Sequence, residues 1–239
     1  MTYDLARHIR SIPDFPKAGI NFFDHADIYG RGKSELVFGE LLRTSPGLRE
    51  RIVIQSKCGI RFPDDPQPGA PARYDFSYDH IVRSVEGSLR RLQTDYLDIL
   101  LLHRPDALVE PEEVARAFDD LAAAGKVRHF GVSNHTPAQI ELLKRSVTRP
   151  LVANQVQLSI THAPIIAQGV AMNMASLDQS VSRDLGILDY CRLHDITLQA
   201  WSPFQAGFFT GAFLGNPEYP ELNEVISRLA SRYDVRAEG

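Results

Sequence analysis

The sequence predicts an α/β fold of the (β/α)₈ TIM barrel type. Short apolar runs rich in β-forming residues alternate with amphipathic helical patterns along the 239-residue chain, at intervals near the ~30 residues of a βαβ unit. This alternation predicts a parallel sheet with right-handed crossovers. A doubly wound sheet alternates in the same way, but a nucleotide-binding one should carry Gly-x-Gly-x-x-Gly at its first strand-to-helix turn. Gly30 and Gly32 open no such pattern. Polar residues instead follow many of the strands, which favours the barrel.

Six buried strands are expected from the apolar runs, at 20–24, 52–57, 96–103, 127–132, 151–156 and 196–201. Apolar residues at helical spacing follow Ser34, which is expected to cap that helix, and a second such pattern follows Asp79. Pro111 opens a third helix, and Thr136 with Pro137 opens a fourth as N-cap and first helical residue. Two later helices are expected at about 182–194 and at 222–233. No linker rich in Pro, Gly or Ser divides the chain, so we expect a single domain over 1–239.

Composition excludes several classes of function. With 26 basic and 30 acidic residues the formal charge is −4, which gives no electrostatic reason to bind nucleic acid or a membrane surface. The opening segment is charged and lacks the apolar core of a signal peptide, and no apolar run is long enough to span a bilayer. A cytoplasmic protein is therefore expected. Cys58 and Cys191 show no metal-type spacing, so we expect buried, unpaired thiols.

Three successive strands end in residues that could carry out proton transfer. Asp24, Lys57 and His103 are the last residues of these strands, and Tyr29 lies five residues after Asp24. A phenol, with an ordinary pKa of ~10, is a weak acid at neutral pH, and an adjacent ammonium strengthens it. Lys57 could supply that charge, Asp24 could hold the lysine, and His103 could donate a hydrogen bond to a carbonyl oxygen. Tyr29 would then be the general acid in reduction and the base in oxidation.

Each of these residues also has an ordinary structural explanation. Lys57 could be a solvated strand terminus, and His103 could cap the loop that follows it. Their combination at three successive strand ends is what favours a site, since core packing alone does not require it. Asp27 is a rival carboxylate, but its position in the sequence Asp24-His25-Ala26-Asp27 should point it elsewhere. No grouping of His, Asp or Glu has metal-ligand spacing, so no metal is expected.

At these residues the chain resembles the aldo-keto reductase family, over a region from 18 to about 209. The matching motifs are GINFFDHADIYG (19–30), QSKCG (55–59), DYLDILLLHRPD (95–106), GKVRHFGVSN (125–134), NQVQ (154–157) and AWSP (200–203). In this order they are specific to the family, and DHADIYG is similar to a subgroup of bacterial oxidoreductases.

The resemblance implies a barrel that uses NADP(H), less often NAD(H), to reduce small aldehydes or ketones without a metal. By the family pattern Tyr29 is the proton donor, Lys57 and Asp24 tune it, and His103 positions the carbonyl. The residues implied to bind the cofactor are Asp24, Ser133, Asn134, Gln155, Trp201, Ser202, Pro203 and Phe204. Of these, Ser133, Asn134 and Gln155 match positions that bind the nicotinamide carboxamide, and Trp201 matches the aromatic that stacks on the ring. Ordinary barrel packing is the other explanation of Trp201.

The chain departs from the family pattern at both ends. Residues 1–17 read as a short helix rather than a first strand, and no eighth strand or adenosine-binding segment follows Ser202. The missing strands are neighbours in a barrel, so we expect an opening between the strands that end at Asp24 and Trp201. The amino-terminal segment or self-association could cover the exposed edges, or the protein could be poorly stable. The alternative function is therefore a catalytically impaired scaffold, similar to the family's channel-associated subunits.

Overall fold

The computed structural model describes residues 20–172, 174, 176–181, 185–207 and 210–238. The helix expected within 1–17 lies outside these residues. The described chain forms two compact units. The first comprises residues 20–154 and Leu193–Thr197, and the second comprises the described parts of Gln155–Arg192 and Leu198–Gly239. The expectation of a single domain stays a prediction.

All six predicted strands are confirmed. The strands are β1 (Phe22–Asp24), β2 (Val53–Cys58), β3 (Ile60–Arg61), β4 (Arg73–Tyr74), β5 (Leu97–Leu102), β6 (Val127–Ser133), β7 (Leu151–Gln157) and β8 (Thr197–Trp201). Among the described residues six of them form one sheet in the order β1-β2-β5-β6-β7-β8, two strands fewer than a closed eight-stranded barrel. The short strands β3 and β4 form an antiparallel hairpin that the sequence pattern did not indicate.

Within the first unit β1, β2, β5 and β6 pair in parallel. Asp24 is opposite Gln55, and Lys57 is opposite Leu101. Parallel strands in this register bring their carboxyl ends to one edge of the sheet. The strand ends that carry Asp24, Lys57 and His103 therefore lie side by side.

The described part of the chain also forms seven α-helices: α1 (Lys33–Thr44), α2 (Tyr78–Leu92), α3 (Pro111–Ala123), α4 (Pro137–Lys144), α5 (Pro164–Val170), α6 (Ile187–Leu193) and α7 (Pro220–Tyr233). Thr136 caps α4 through a capping box with Gln139, as expected. Ser77 caps α2 by accepting a hydrogen bond from the His80 amide. One cap prediction was wrong: Ser34 lies inside the first turn of α1, and Gly32 holds the N-cap position with a φ of 86°.

Apolar residues on both faces of the central strands form the core of the first unit. Leu97, Leu100, Leu101 and Leu102 of β5 are all at most 1% exposed, as expected for a strand covered on both sides. The rings of Phe118 and Phe130 stack with centroids 4.0 Å apart, which joins α3 to β6. Among the described residues no helix combines the length and the apolar character needed to cross a membrane.

Candidate active site

Lys57 lies at the centre of a compact polar group at the ends of β1 and β2. Its side chain is fully buried, and its ammonium donates to Asp24 Oδ2 at 2.8 Å, to the His25 carbonyl at 2.8 Å and to Tyr29 Oη at 3.2 Å. An ammonium has three N–H donors. Each of them therefore has an acceptor, and the buried charge is paired with a carboxylate.

The tight turn that carries Tyr29 is tied to the neighbouring strand by its backbone. The amides of His25 and Asp27 donate to the carbonyls of Gln55 and Lys57, at 2.8 and 3.1 Å. The Tyr29 amide donates to Ala26 at 3.1 Å. Tyr29 itself is 38% exposed, so its hydroxyl is reachable while the lysine that contacts it is shielded from water. This arrangement suits a group that exchanges a proton with a small molecule.

His103 lies at the end of β5, next to Tyr29. Its amide donates to the Cys58 carbonyl at 2.9 Å, and its ring meets the Tyr29 ring edge-on with centroids 5.8 Å apart. Burial, together with the nearby charges of Lys57 and Arg104, lowers the pKa of His103 to about 3. The imidazole is therefore neutral at physiological pH. Its Nδ1 is buried and has no hydrogen-bond partner among the described residues.

Asp24 is held from a second side by Gln55, which sequence reasoning missed. The buried Gln55 side chain donates from Nε2 to Asp24 Oδ1 at 2.7 Å. A signal was present in the sequence, because Gln55 lies two residues before Lys57 and alternate residues of a strand share one face. A polar residue at that spacing from a buried lysine should be counted with it.

Asp27 does not share the lysine with Asp24. Its carboxyl instead bonds with the Ser84 side chain, and its Oδ1 is buried with no partner among the described residues. Burial, with a smaller contribution from nearby Glu35 and an opposing one from Arg91, raises the pKa of Asp27 to about 7. The structure therefore agrees with the prediction that Asp27 points away from Lys57.

Ser133 ends β6 in the same unit, and Asn134 follows it. The Asn134 side chain donates to Ser133 Oγ at 2.8 Å and to the His103 carbonyl at 3.3 Å. Asn134 has a φ of 60°, in the left-handed region that asparagine tolerates better than most residues. The end of β6 is thus joined to the end of β5, and two of the predicted cofactor residues lie with His103.

Apart from Asp24, the other predicted cofactor residues belong to the second unit. Gln155 donates to the Gln199 side chain at 3.2 Å, and Gln199 shares a face of β8 with Trp201. Ser202 begins the turn after β8 with a φ of 53°. Pro203 and Phe204 line a largely apolar cavity of ≈ 630 Å³ in this unit, together with residues of α7. Their role in cofactor binding stays a prediction.

Fold and site together define a class of protein. Parallel strands deliver an aspartate, a lysine and a histidine to one edge of a sheet, around a partly exposed tyrosine. This is an α/β protein that gathers ionisable side chains at the ends of its strands, which is where barrel proteins of this class carry their sites.

The chain belongs to the aldo/keto reductase family, whose family profile matches residues 2–237. It is 47% identical over 159 residues to oxidoreductase YdhF of Escherichia coli, covering 66% of this chain and 53% of that protein. It is 39% identical over 199 residues to 6-dehydroglucose reductase of Agrobacterium fabrum, covering 82% and 61%. A Klebsiella pneumoniae aldo/keto reductase solved with NADP and acetate matches with a TM-score of 0.67 and 25% identity, covering 99% and 70%. The chain thus spans about half to three fifths of the length of these two curated relatives.

Proposed function

We propose that this chain is an NADP(H)-dependent oxidoreductase that reduces aldehydes or ketones to alcohols, with Tyr29 as the general acid. One observation carries the proposal. The Lys57 ammonium lies 3.2 Å from Tyr29 Oη while Asp24 holds it at 2.8 Å. A buried lysine held against a partly exposed phenol has little purpose in packing, and it supplies the charge that a tyrosine acid needs.

The proton transfer follows from these contacts. Tyr29 donates its hydroxyl proton to the carbonyl oxygen of the substrate, which becomes the alcohol oxygen. The Lys57 ammonium stabilises the resulting phenolate, and Asp24 and the His25 carbonyl keep the ammonium in place. In the oxidation direction the phenolate takes the proton back. Gln55 holds the second oxygen of Asp24 and prevents it from turning away.

His103 orients the carbonyl in this proposal. Because its pKa is about 3, the imidazole is neutral and has a single N–H donor. We assign that donor to Nε2, since Nδ1 is enclosed in the protein. A neutral donor positions the oxygen and stabilises its developing negative charge without competing with Tyr29 as the acid.

The residues of the chain fit a nicotinamide cofactor. In the first unit Ser133, at the end of β6, and Asn134, directly after it, supply a hydroxyl and an amide. In the second unit Gln155 lies on β7 and Trp201 lies on β8. Amides and hydroxyls suit a carboxamide, and an indole can stack on a flat ring. When bound, NADPH supplies the hydride, and NADH is the alternative donor. The Klebsiella relative, solved with NADP, favours the phosphorylated form.

Cofactor binding and turnover test the proposal separately. Titration with NADPH, followed by nicotinamide fluorescence, should show saturable binding. Turnover of an activated aldehyde such as 4-nitrobenzaldehyde should be lost in Tyr29→Phe, with cofactor affinity nearly unchanged. Tyr96→Phe is the matched control, because Tyr96 precedes β5 at the opposite end from His103. Absence of saturable binding at millimolar NADPH would refute the reductase proposal and favour an interaction role. Turnover retained in Tyr29→Phe would refute the acid assignment.

A further inference from the structure

A buried ion pair lies directly behind the group around Lys57. Glu35 of α1 is 0% exposed. Its Oε1 accepts a hydrogen bond from Ser56 Oγ at 2.6 Å, and its Oε2 accepts one from Arg91 Nε at 2.7 Å. Arg91 Nη2 also lies 2.7 Å from Oε2 and donates to Ser88 at 3.3 Å. A buried carboxylate that is paired and hydrogen-bonded on both oxygens holds its neighbours in one arrangement.

Three glycines make room for Arg91. A Cβ atom added at Gly32 would lie 2.9 Å from Arg91 Cδ, and one at Gly87 would lie 2.9 Å from Arg91 Nη1. At Gly39 it would overlap the Arg91 carbonyl oxygen. Gly32 is the last residue of the Tyr29–Gly32 turn. Arg91 therefore passes against the turn that carries Tyr29 and ends on Glu35.

The ion pair connects the two segments whose spacing matters to the chemistry. Ser56 immediately precedes Lys57, and neighbouring residues of a strand point to opposite faces. Through its hydrogen bond with Ser56, Glu35 therefore contacts β2 on the face opposite Lys57. Glu35 also lies in the first turn of α1, which begins directly after the Tyr29 turn. A shift of α1 relative to β2 would therefore change the distance between Lys57 Nζ and Tyr29 Oη.

We propose that Glu35, neutralised by Arg91, is a positioning residue that sets the spacing between Tyr29 and Lys57. This inference rests on the proposed function, in which Lys57 stabilises the phenolate of Tyr29. The other ionisable groups that interact with Glu35 are Asp27 and His25 on the Tyr29 segment and Cys58 on β2. Arg91, from α2, contacts it directly as a cation.

Glu35→Gln tests the proposal, because glutamine keeps the size of the side chain and loses its charge. Glu40→Gln is the matched control: it makes the same change on the same helix, in an exposed pair with Arg43. With 4-nitrobenzaldehyde and NADPH we expect kcat to fall about tenfold in Glu35→Gln, with KM for NADPH within about twofold. The pH profile of alcohol oxidation should move about one unit toward alkaline pH, because a more distant ammonium stabilises the phenolate less. A purely structural role would lower stability and leave the profile in place.

Amide hydrogen exchange gives a readout that does not need activity. The Asp27 and Tyr29 amides donate hydrogen bonds to the Lys57 and Ala26 carbonyls. Their exchange should be about tenfold faster in Glu35→Gln than in wild type, and it should be unchanged in Glu40→Gln. Ser56→Ala removes one hydrogen bond and keeps the ion pair, so it should show the same effects more weakly and serves if Glu35→Gln fails to fold. Unchanged exchange in the variant that folds, or an unshifted pH profile in an active enzyme, overturns the proposal. A wild-type chain without turnover refutes the proposed function alone, and the exchange data still decide the positioning role.

Discussion

Replacing Asp27 by asparagine should change how the stability of the folded chain depends on pH. In the folded state burial raises the pKa of this carboxyl to about 7, against an ordinary value of 3.8. As pH rises above ~4 the carboxyl ionises in the unfolded chain while it stays protonated in the folded one. The folded state then binds more protons than the unfolded state, so Asp27 makes stability fall as pH rises, until it ionises in both states near pH 7. Asparagine does not ionise and removes this dependence.

The size of the effect follows from the gap between the two pKa values. The gap is about 3 units, and each unit corresponds to ~1.36 kcal/mol, which gives an upper value of about 4 kcal/mol between pH 4 and pH 8. Asp27 interacts with Glu35 and Arg91, so part of this energy is shared with them. We therefore expect the free energy of unfolding of Asp27→Asn to rise by about 2–4 kcal/mol relative to that of wild type as pH is raised across this range.

Urea unfolding, followed by far-ultraviolet circular dichroism at pH 4.5 and pH 8, measures this difference. Comparison of variant with wild type cancels the contribution of the other groups, including the buried histidines. Asp95→Asn is the control, since Asp95 is exposed. If the free energies of unfolding of wild type and Asp27→Asn run parallel between the two pH values, Asp27 is not the buried acid described above.

Three further predictions follow from the site and the sheet. Lys57→Met should lower aldehyde turnover by ~10²–10⁴-fold while NADPH affinity by fluorescence changes little, and turnover near the wild-type rate would exclude the ammonium from the chemistry. His103→Gln should keep the shape of the pH–rate profile between pH 5 and 8, because His103, with a pKa of about 3, does not titrate there; a step near pH 6 that the glutamine abolishes would contradict this. Gly131→Ala should lower the free energy of unfolding in urea by about 1–3 kcal/mol, since the added Cβ would lie 2.7 Å from the Ala153 carbonyl oxygen and from Leu101. The control, Gly169→Ala in α5, meets no atom within 4 Å and should raise stability by up to ~1 kcal/mol; equal effects at the two sites would refute the packing argument.

The strands were predictable because burial on both faces leaves a continuous apolar signal in the sequence. The hairpin of β3 and β4 left no such signal. The Arg61 guanidinium, on β3, forms ion pairs with Asp65 at 3.1 Å and with Asp75 at 2.5 Å, on either side of β4. Charged residues in a proline-rich stretch read as a loop, and only the fold shows that they pair.

Helix starts were predictable where the cap is local. Thr136 and Gln139 hydrogen-bond each other's backbone amides within four residues, so the sequence pattern is sufficient to predict the start of α4. The start of α1 depends on the preceding turn, where Gly32 adopts a left-handed conformation beside Arg91 of a distant helix. Serine is a common N-cap residue, but Ser34 lies two residues after the N-cap position. Its hydroxyl instead lies 3.4 Å from His25 Nδ1.

The sequence by itself determined the chemical parts of the site and the strand ends that carry them. Asp24, Tyr29, Lys57 and His103 could be predicted to lie together because a parallel sheet must bring successive carboxyl ends to one edge. Only the tertiary structure showed that Gln55 donates to Asp24, that Glu35 accepts from Ser56 behind Lys57, and that the pKa of His103 is lowered to about 3. The physical reason is that pairing and protonation depend on distance and burial, which residues far apart in the chain create together when they pack.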